Sequence, residues 1–118
     1  MKKILVVDDD PGVCKLLRTR LKSRGYDVIE AYNGVEAFAK ASDERPDLII
    51  LDVSMPIMDG YEFVRSTRWL DLRDIPILIL SARVNTREMF DAMGVPDFLA
   101  KPFNFNELLG KVEECIKN

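Results

Sequence analysis

The 118-residue chain contains no histidine, and that absence excludes both Ser-His-Asp catalysis and His-ligated zinc. Only two cysteines occur, Cys14 and Cys115, each inside a helix-like pattern, too few for a disulfide framework or a thiolate metal site. A large excess of one charge is also missing. Seventeen basic residues face 20 acidic ones, a net charge of −3, which excludes the class of strongly basic nucleic-acid-binding proteins. No apolar run is longer than Ile77–Leu80, far below the roughly 20 residues a membrane helix needs. Lys2-Lys3 followed by Ile4–Val7 imitates a secretory leader, but Asp8-Asp9-Asp10 ends the run too early, so the expected location is the cytoplasm. With six glycines, six prolines and 47% hydrophobic residues the chain is neither collagen-like nor low-complexity, and its length predicts one domain, residues 1–118.

What is present is an alternation of short apolar runs with amphipathic segments. Ile4–Val7 is apolar without polar alternation, the pattern of a strand buried on both faces. Asp10-Pro11 then reads as a helix cap followed by proline at the first helical position, with Val13, Leu16, Leu17 and Leu21 on one stripe until Gly25. Asp27–Ala31 is a second strand, and Asn33 with Glu36 forms a capping box for a helix through about Glu44. Leu48–Leu51 is a third strand. Asp59 and Glu62 mark a further capped start, carrying Phe63, Val64 and Trp69 or Leu70 inward. Ile75–Leu80, a brief helix at Thr86–Met93, a short strand Asp97–Ala100 and a helix capped by Asn104 and Glu107 complete five βα units. Met89, Phe90 and Met93, at helical spacing, read as core. Such alternation requires an α/β fold of three layers, a doubly wound parallel sheet with helices on both faces.

In open parallel sheets, ligands sit beyond the carboxyl ends of the strands. Here those ends carry Asp8 and Asp9, Asp52, Ser81 and Lys101. A lone aspartate after a strand is ordinarily a turn or cap residue, as Asp10 is read. The joint pattern is different, because two carboxylates about 4 Å apart repel by about 4 kcal/mol at an effective dielectric of 20. Stability alone would not gather them. Lys101 supplies one positive charge against three negatives, and oxygen ligands without histidine point to a hard cation, Mg²⁺, with phosphate chemistry. A carboxylate beside Mg²⁺ and a lysine is a competent nucleophile toward a phosphoryl group.

The segments Val7-Asp8-Asp9-Asp10, Leu51-Asp52-Val53-Ser54-Met55-Pro56 with Met58-Asp59-Gly60, Leu80-Ser81-Ala82 and Lys101-Pro102-Phe103 resemble, in order, the receiver domain of two-component response regulators. The resemblance spans essentially the whole chain and implies the flavodoxin-like five-stranded order 2-1-3-4-5. It implies that Asp52 is the phosphoacceptor, taking its phosphoryl group from a phosphohistidine on a sensor histidine kinase or phosphotransfer protein. Asp9, Asp52 and the Ser54 backbone carbonyl would ligate Mg²⁺, with Asp8 holding a metal-bound water. Ser81 would bond a phosphoryl oxygen, Lys101 would pair with Asp52 or the phosphate, and Lys101-Pro102 would be cis, against a base rate of about 5%. Phe98 stands where the family has its switching aromatic, turning inward as Ser81 moves and reshaping the surface of the fourth helix, fifth strand and fifth helix. Such a domain is a signalling switch, not an enzyme with its own substrate. Its implied partners are the kinase, a downstream effector and a phosphorylation-dependent homodimer, with neither nucleic acid nor membrane bound directly.

Two features depart from the family pattern. The interval from Ser81 to Lys101 is about two residues short and contains Gly94-Val95-Pro96, so a short or loosely placed fourth helix is expected. Ser54 and Arg83 occupy the positions where the family tunes acyl phosphate lifetime. Lys15, Arg18, Arg20, Lys22 and Arg24 form a basic outer side of the first helix, read either as a solvated face or as a surface for an acidic partner. The rival readings are a phosphorylation-independent interaction module, an aspartyl phosphatase and a flavin carrier. Pro11-Gly12 after Asp8-x-Asp10 disfavours the phosphatase, and three carboxylates in a phosphate-binding loop disfavour the flavin protein.

Overall fold

A computed structural model describes residues 1–53, 57–69 and 71–117, without the side chains of 57–59, 68, 69, 84 and 117. Five parallel strands, β1 (Lys3–Val7), β2 (Asp27–Ala31), β3 (Leu48–Asp52), β4 (Ile77–Ser81) and β5 (Phe98–Ala100), form one sheet in the order β2-β1-β3-β4-β5. They alternate with helices α1 (Pro11–Lys22), α2 (Gly34–Glu44), α3 (Ile57–Trp69), α4 (Arg87–Ala92) and α5 (Phe105–Lys117). This is the doubly wound, flavodoxin-like arrangement the sequence pattern and the resemblance predict. No helix among the described residues is long and apolar enough to cross a membrane.

The pleat sorts the apolar runs into two cores. Leu5, Val7, Ile49, Leu51, Ile77 and Ile79 point to one face, where α2, α3 and α4 cover them with Ala37, Ala41, Phe63, Val64 and Phe90. Ile4, Val6, Leu48, Ile50, Leu78 and Leu80 point to the other, covered by Cys14, Leu17 and Leu21 of α1 and by Leu108 and Val112 of α5. Both cores are needed because the strands are apolar at every position.

Caps fix where the helices start. Asp10 Oδ1 accepts the Gly12 N–H at 2.8 Å, and Asn33 Oδ1 accepts the Glu36 N–H at 2.9 Å. At α5 the box is reciprocal: Asn104 Oδ1 accepts from Glu107 N at 2.8 Å and Glu107 Oε1 accepts from Asn104 N at 3.1 Å.

Two expectations need correction. Leu16, placed on the inward stripe of α1, is 58% exposed, because Cys14, Leu17 and Leu21 fill the inward arc and Leu16 falls beyond its edge. The third helix starts at Ile57 rather than at an Asp59 cap, so Asp59 lies in its first turn, where an acid suits the helix dipole. Thr67 joins Phe63 and Val64 as a buried residue of that helix; the inward placement of Trp69 or Leu70 falls outside the described side chains. The fourth helix is short as expected: a 3₁₀ turn at Val84–Thr86 leads into six helical residues, ended by Gly94 at φ 84°.

Candidate functional site

The strand order reverses between β1 and β3, so their connections leave toward opposite faces and open a crevice at their carboxyl ends. Val7 lies opposite Leu51, which sets Asp8 and Asp52 side by side one residue beyond. Both share the pleat parity of Val6 and Ile50 and so face the α1–α5 side. Asp52 is 2% exposed and Asp8 is fully buried, whereas Asp9 is exposed at the mouth.

The Lys101 ammonium donates to Asp52 Oδ1 in an ion pair across the sheet. The backbone holds it in place: Lys101 N donates to Ser81 O at 2.9 Å, and Val53 N donates to Leu80 O at 2.8 Å. The Lys101-Pro102 peptide is cis. A buried carboxylate with an ammonium on one oxygen keeps lone pairs for a further electrophile or cation.

Asp8 Oδ1 accepts the Asp10 N–H at 2.9 Å, so the loop that caps α1 also orients this carboxylate. Cys14 lies beneath it, its thiol donating to the Asp8 carbonyl at 3.5 Å. Burial first, and the Asp8 carboxylate second, push this thiol up to about 12. Cys14 is therefore a neutral packing group.

The donor set fits a hard divalent cation. Asp8, Asp9 and Asp52 offer carboxylate oxygens only, and Mg²⁺ is ordinarily held by one or two carboxylates with several waters. Among the described residues no three acidic or thiol side chains close into a cage. The Ser54 carbonyl expected in this set lies outside the described residues.

Ser81 ends β4 opposite Ala100, and its Oγ accepts the Arg83 N–H at 2.9 Å. Its parity is that of Ile79, which pairs with Phe98, so Ser81 and Phe98 share the opposite sheet face from Asp52 and Lys101. Phe98 is 4% exposed, its ring directed into the core beside Phe90, with the Arg87 guanidinium carbon 5.7 Å from the ring centroid.

Beside Asp52 runs an apolar groove of about 520 Å³ lined by Val13, Leu16, Lys101, Pro102 and Phe103. Sequence reasoning missed it by assigning Leu16 to the core; the available signal was that Leu16 sits off the arc of Cys14, Leu17 and Leu21. The basic side of α1 is also less uniform than its sequence suggests. Arg18 pairs with Glu30 at 3.1 Å, and Arg20 and Arg24 lie over Phe105 at 5.2 and 5.8 Å while staying exposed, as Lys15 and Lys22 are.

Residues 4–113 match the family model of the response regulator receiver domain. The chain is 42% identical over 121 residues to the alkaline phosphatase synthesis transcriptional regulatory protein PhoP of Bacillus subtilis, covering 98% of this chain and 49% of that one. It thus spans about half the length of the curated relatives it matches. Among solved structures, the chemotaxis response regulator CheY4 of Vibrio cholerae superposes with a TM-score of 0.88 at 37% identity, covering 98% of each chain. The response regulator TrrA of Thermotoga maritima, solved in complex with Mg²⁺-BeF, gives 0.85 at 37% identity, covering 98% of this chain and 99% of that one.

Proposed function

This chain belongs to the response regulator receiver domain family of two-component systems, and from that premise we propose that Asp52 is its phosphoacceptor and residues 1–118 one phosphorylation-controlled switch. The observation that carries the proposal is the buried Asp52 carboxylate bonded by Lys101 in the crevice it shares with buried Asp8. An Asp52 oxygen attacks the phosphorus of a phosphohistidine on a sensor kinase or phosphotransfer protein. The P–N bond breaks, the imidazole leaves with its electron pair, and a P–O bond to Asp52 forms. Lys101 offsets the charge gathered on the phosphoryl oxygens. Ser81 spends only an acceptor lone pair on Arg83, so its hydroxyl proton is the donor assigned to a phosphoryl oxygen. Mg²⁺, held by Asp9, Asp52 and the Ser54 carbonyl with Asp8 on a metal-bound water, would supply further charge neutralisation when bound. The Mg²⁺-BeF complex of TrrA supports that assignment by analogy.

The groove beside Asp52 offers apolar contact for the donor's helices, with Lys15 and Lys22 on α1 steering an acidic partner. Output would pass through Phe98 to α4, β5 and α5, toward an effector or a second copy of the chain. The inward ring seen here is the position expected of the switched state, and an outward ring would give up its contact with Arg87. A cytoplasmic location goes with a kinase donor.

The test is incubation with Mg²⁺ and acetyl phosphate, followed by intact-mass measurement. One phosphoryl group should be gained by the native chain, and none when Mg²⁺ is chelated before the donor is added or in Asp52→Asn. No gain by the native chain would leave the phosphorylation-independent interaction module as the reading, and undiminished labelling of Asp52→Asn would remove Asp52 from its role.

A further inference from the structure

A second groove lies on the sheet face opposite α1, between the N-terminal half of α2 and the middle of α3, and takes no part in the phosphoacceptor site. Its volume is about 610 Å³, within the range of sites that hold a ligand or several side chains. Phe63 and the half-buried Phe38 form its floor, and Val35 stands at its mouth 83% exposed. Glu36 and Glu62 supply its charge, and no basic residue is among the described residues that line it.

Each feature narrows the occupant. An exposed valine over an aromatic floor is apolar surface that water covers at a cost of about 25 cal/mol per Å². Both walls are helices, α2 contributing its capped first turn, and neither presents a strand edge for an extended peptide to pair with. A helix brings its own backbone bonds and can seat apolar side chains between two others. Glu62 is exposed and Glu36 keeps one carboxylate oxygen beyond the one that accepts from Asn33 Nδ2 at 3.3 Å, and with no cation facing them among the described residues they select Lys or Arg on that helix and disfavour an acidic one.

We propose that the α2–α3 groove docks an amphipathic helix of a partner protein, its aliphatic side chains entering over Val35 and Phe38 and its basic flanks meeting Glu36 and Glu62. This inference does not rest on Asp52 being the phosphoacceptor, since the groove lies across the sheet from that crevice's α1 wall.

The test is a titration of ¹⁵N-labelled full chain with a synthetic Leu–Lys amphipathic helix of about 15 residues, and with its Leu–Glu counterpart. Amide shifts should centre on residues 34–38 and 62–66 for the Leu–Lys peptide alone. Val35→Ser should weaken binding about fivefold, and Glu62→Lys roughly tenfold at low salt. Both positions are exposed, so circular dichroism should stay unchanged. The proposal is overturned if neither peptide binds, if the Leu–Glu peptide binds as tightly, if both variants bind like the native chain, or if the shifts centre on Asp8, Asp52 and Lys101.

Discussion

Asp52 is buried among apolar strand ends and keeps its charge tolerable through Lys101, whose ammonium reaches it from the chain beyond β5. Removing one member of such a pair leaves the other buried without compensation, which costs more than the pair contributes. Lys101→Ala should therefore lower stability by about 1–3 kcal/mol, less than for a fully buried pair because the lysine side chain keeps some solvent access. Asp52→Asn combined with Lys101→Ala should be more stable than Lys101→Ala alone. Urea unfolding of the three variants checks this, and additive losses would mean that Asp52 does not depend on Lys101. The residue types of the site were legible from the strand ends, because apolar runs terminate in charge at Asp8, Asp52 and Lys101. Which of the three carboxylates the ammonium would meet was not legible from composition or spacing, because that choice follows from the β1–β3 register and the turn after β5.

At the scale of elements, α1 shows how a helix serves two surfaces. Cys14, Leu17 and Leu21 bury against β1 and β2, while Leu16 is left on the groove beside Asp52. Leu17→Ala should cost about 2–4 kcal/mol, as for other buried leucines. Leu16→Ala should cost less than about 1 kcal/mol yet slow phosphotransfer from a kinase without changing labelling by acetyl phosphate. Equal destabilisation by the two would restore Leu16 to the core. The capped helices α2 and α5 began where Asn33 and Asn104 predicted, because a cap is a local bond between residues three apart. The start of α3 lies two residues before Asp59 because an acidic residue suits a first turn as well as a cap, so Asp59 alone does not mark the boundary.

Over the whole molecule, two buried thiols set an alkaline limit. Burial, aided by Asp8 at Cys14 and by Asp97 at Cys115, pushes each up to about 12 from an ordinary value of 9.0. A group whose pKa is raised by folding contributes stability that is complete below its unfolded pKa and lost as pH rises toward its folded one. Stability should hold near neutral pH and fall progressively between about 9 and 12, with a shallower fall in Cys14→Ala. Melting temperatures across that range check it, and an identical slope in Cys14→Ala would show that this thiol stays ionisable when folded. By itself the sequence determined the order of elements, the parallel sheet and the gathering of acids and one lysine at its carboxyl edge. Each of these follows from short-range patterning: apolar runs too uniform for one-sided strands, helix caps, and charge where a run ends. The pairing of Lys101 with Asp52 was implied by the family resemblance and is present in the structure, whereas only the tertiary structure decided that Leu16 faces a groove and not the core, that Phe98 points inward under Arg87, and that α2 and α3 leave an acidic apolar cleft between them. Those depend on register and on how helices from distant parts of the chain settle against the sheet, which no local spacing encodes.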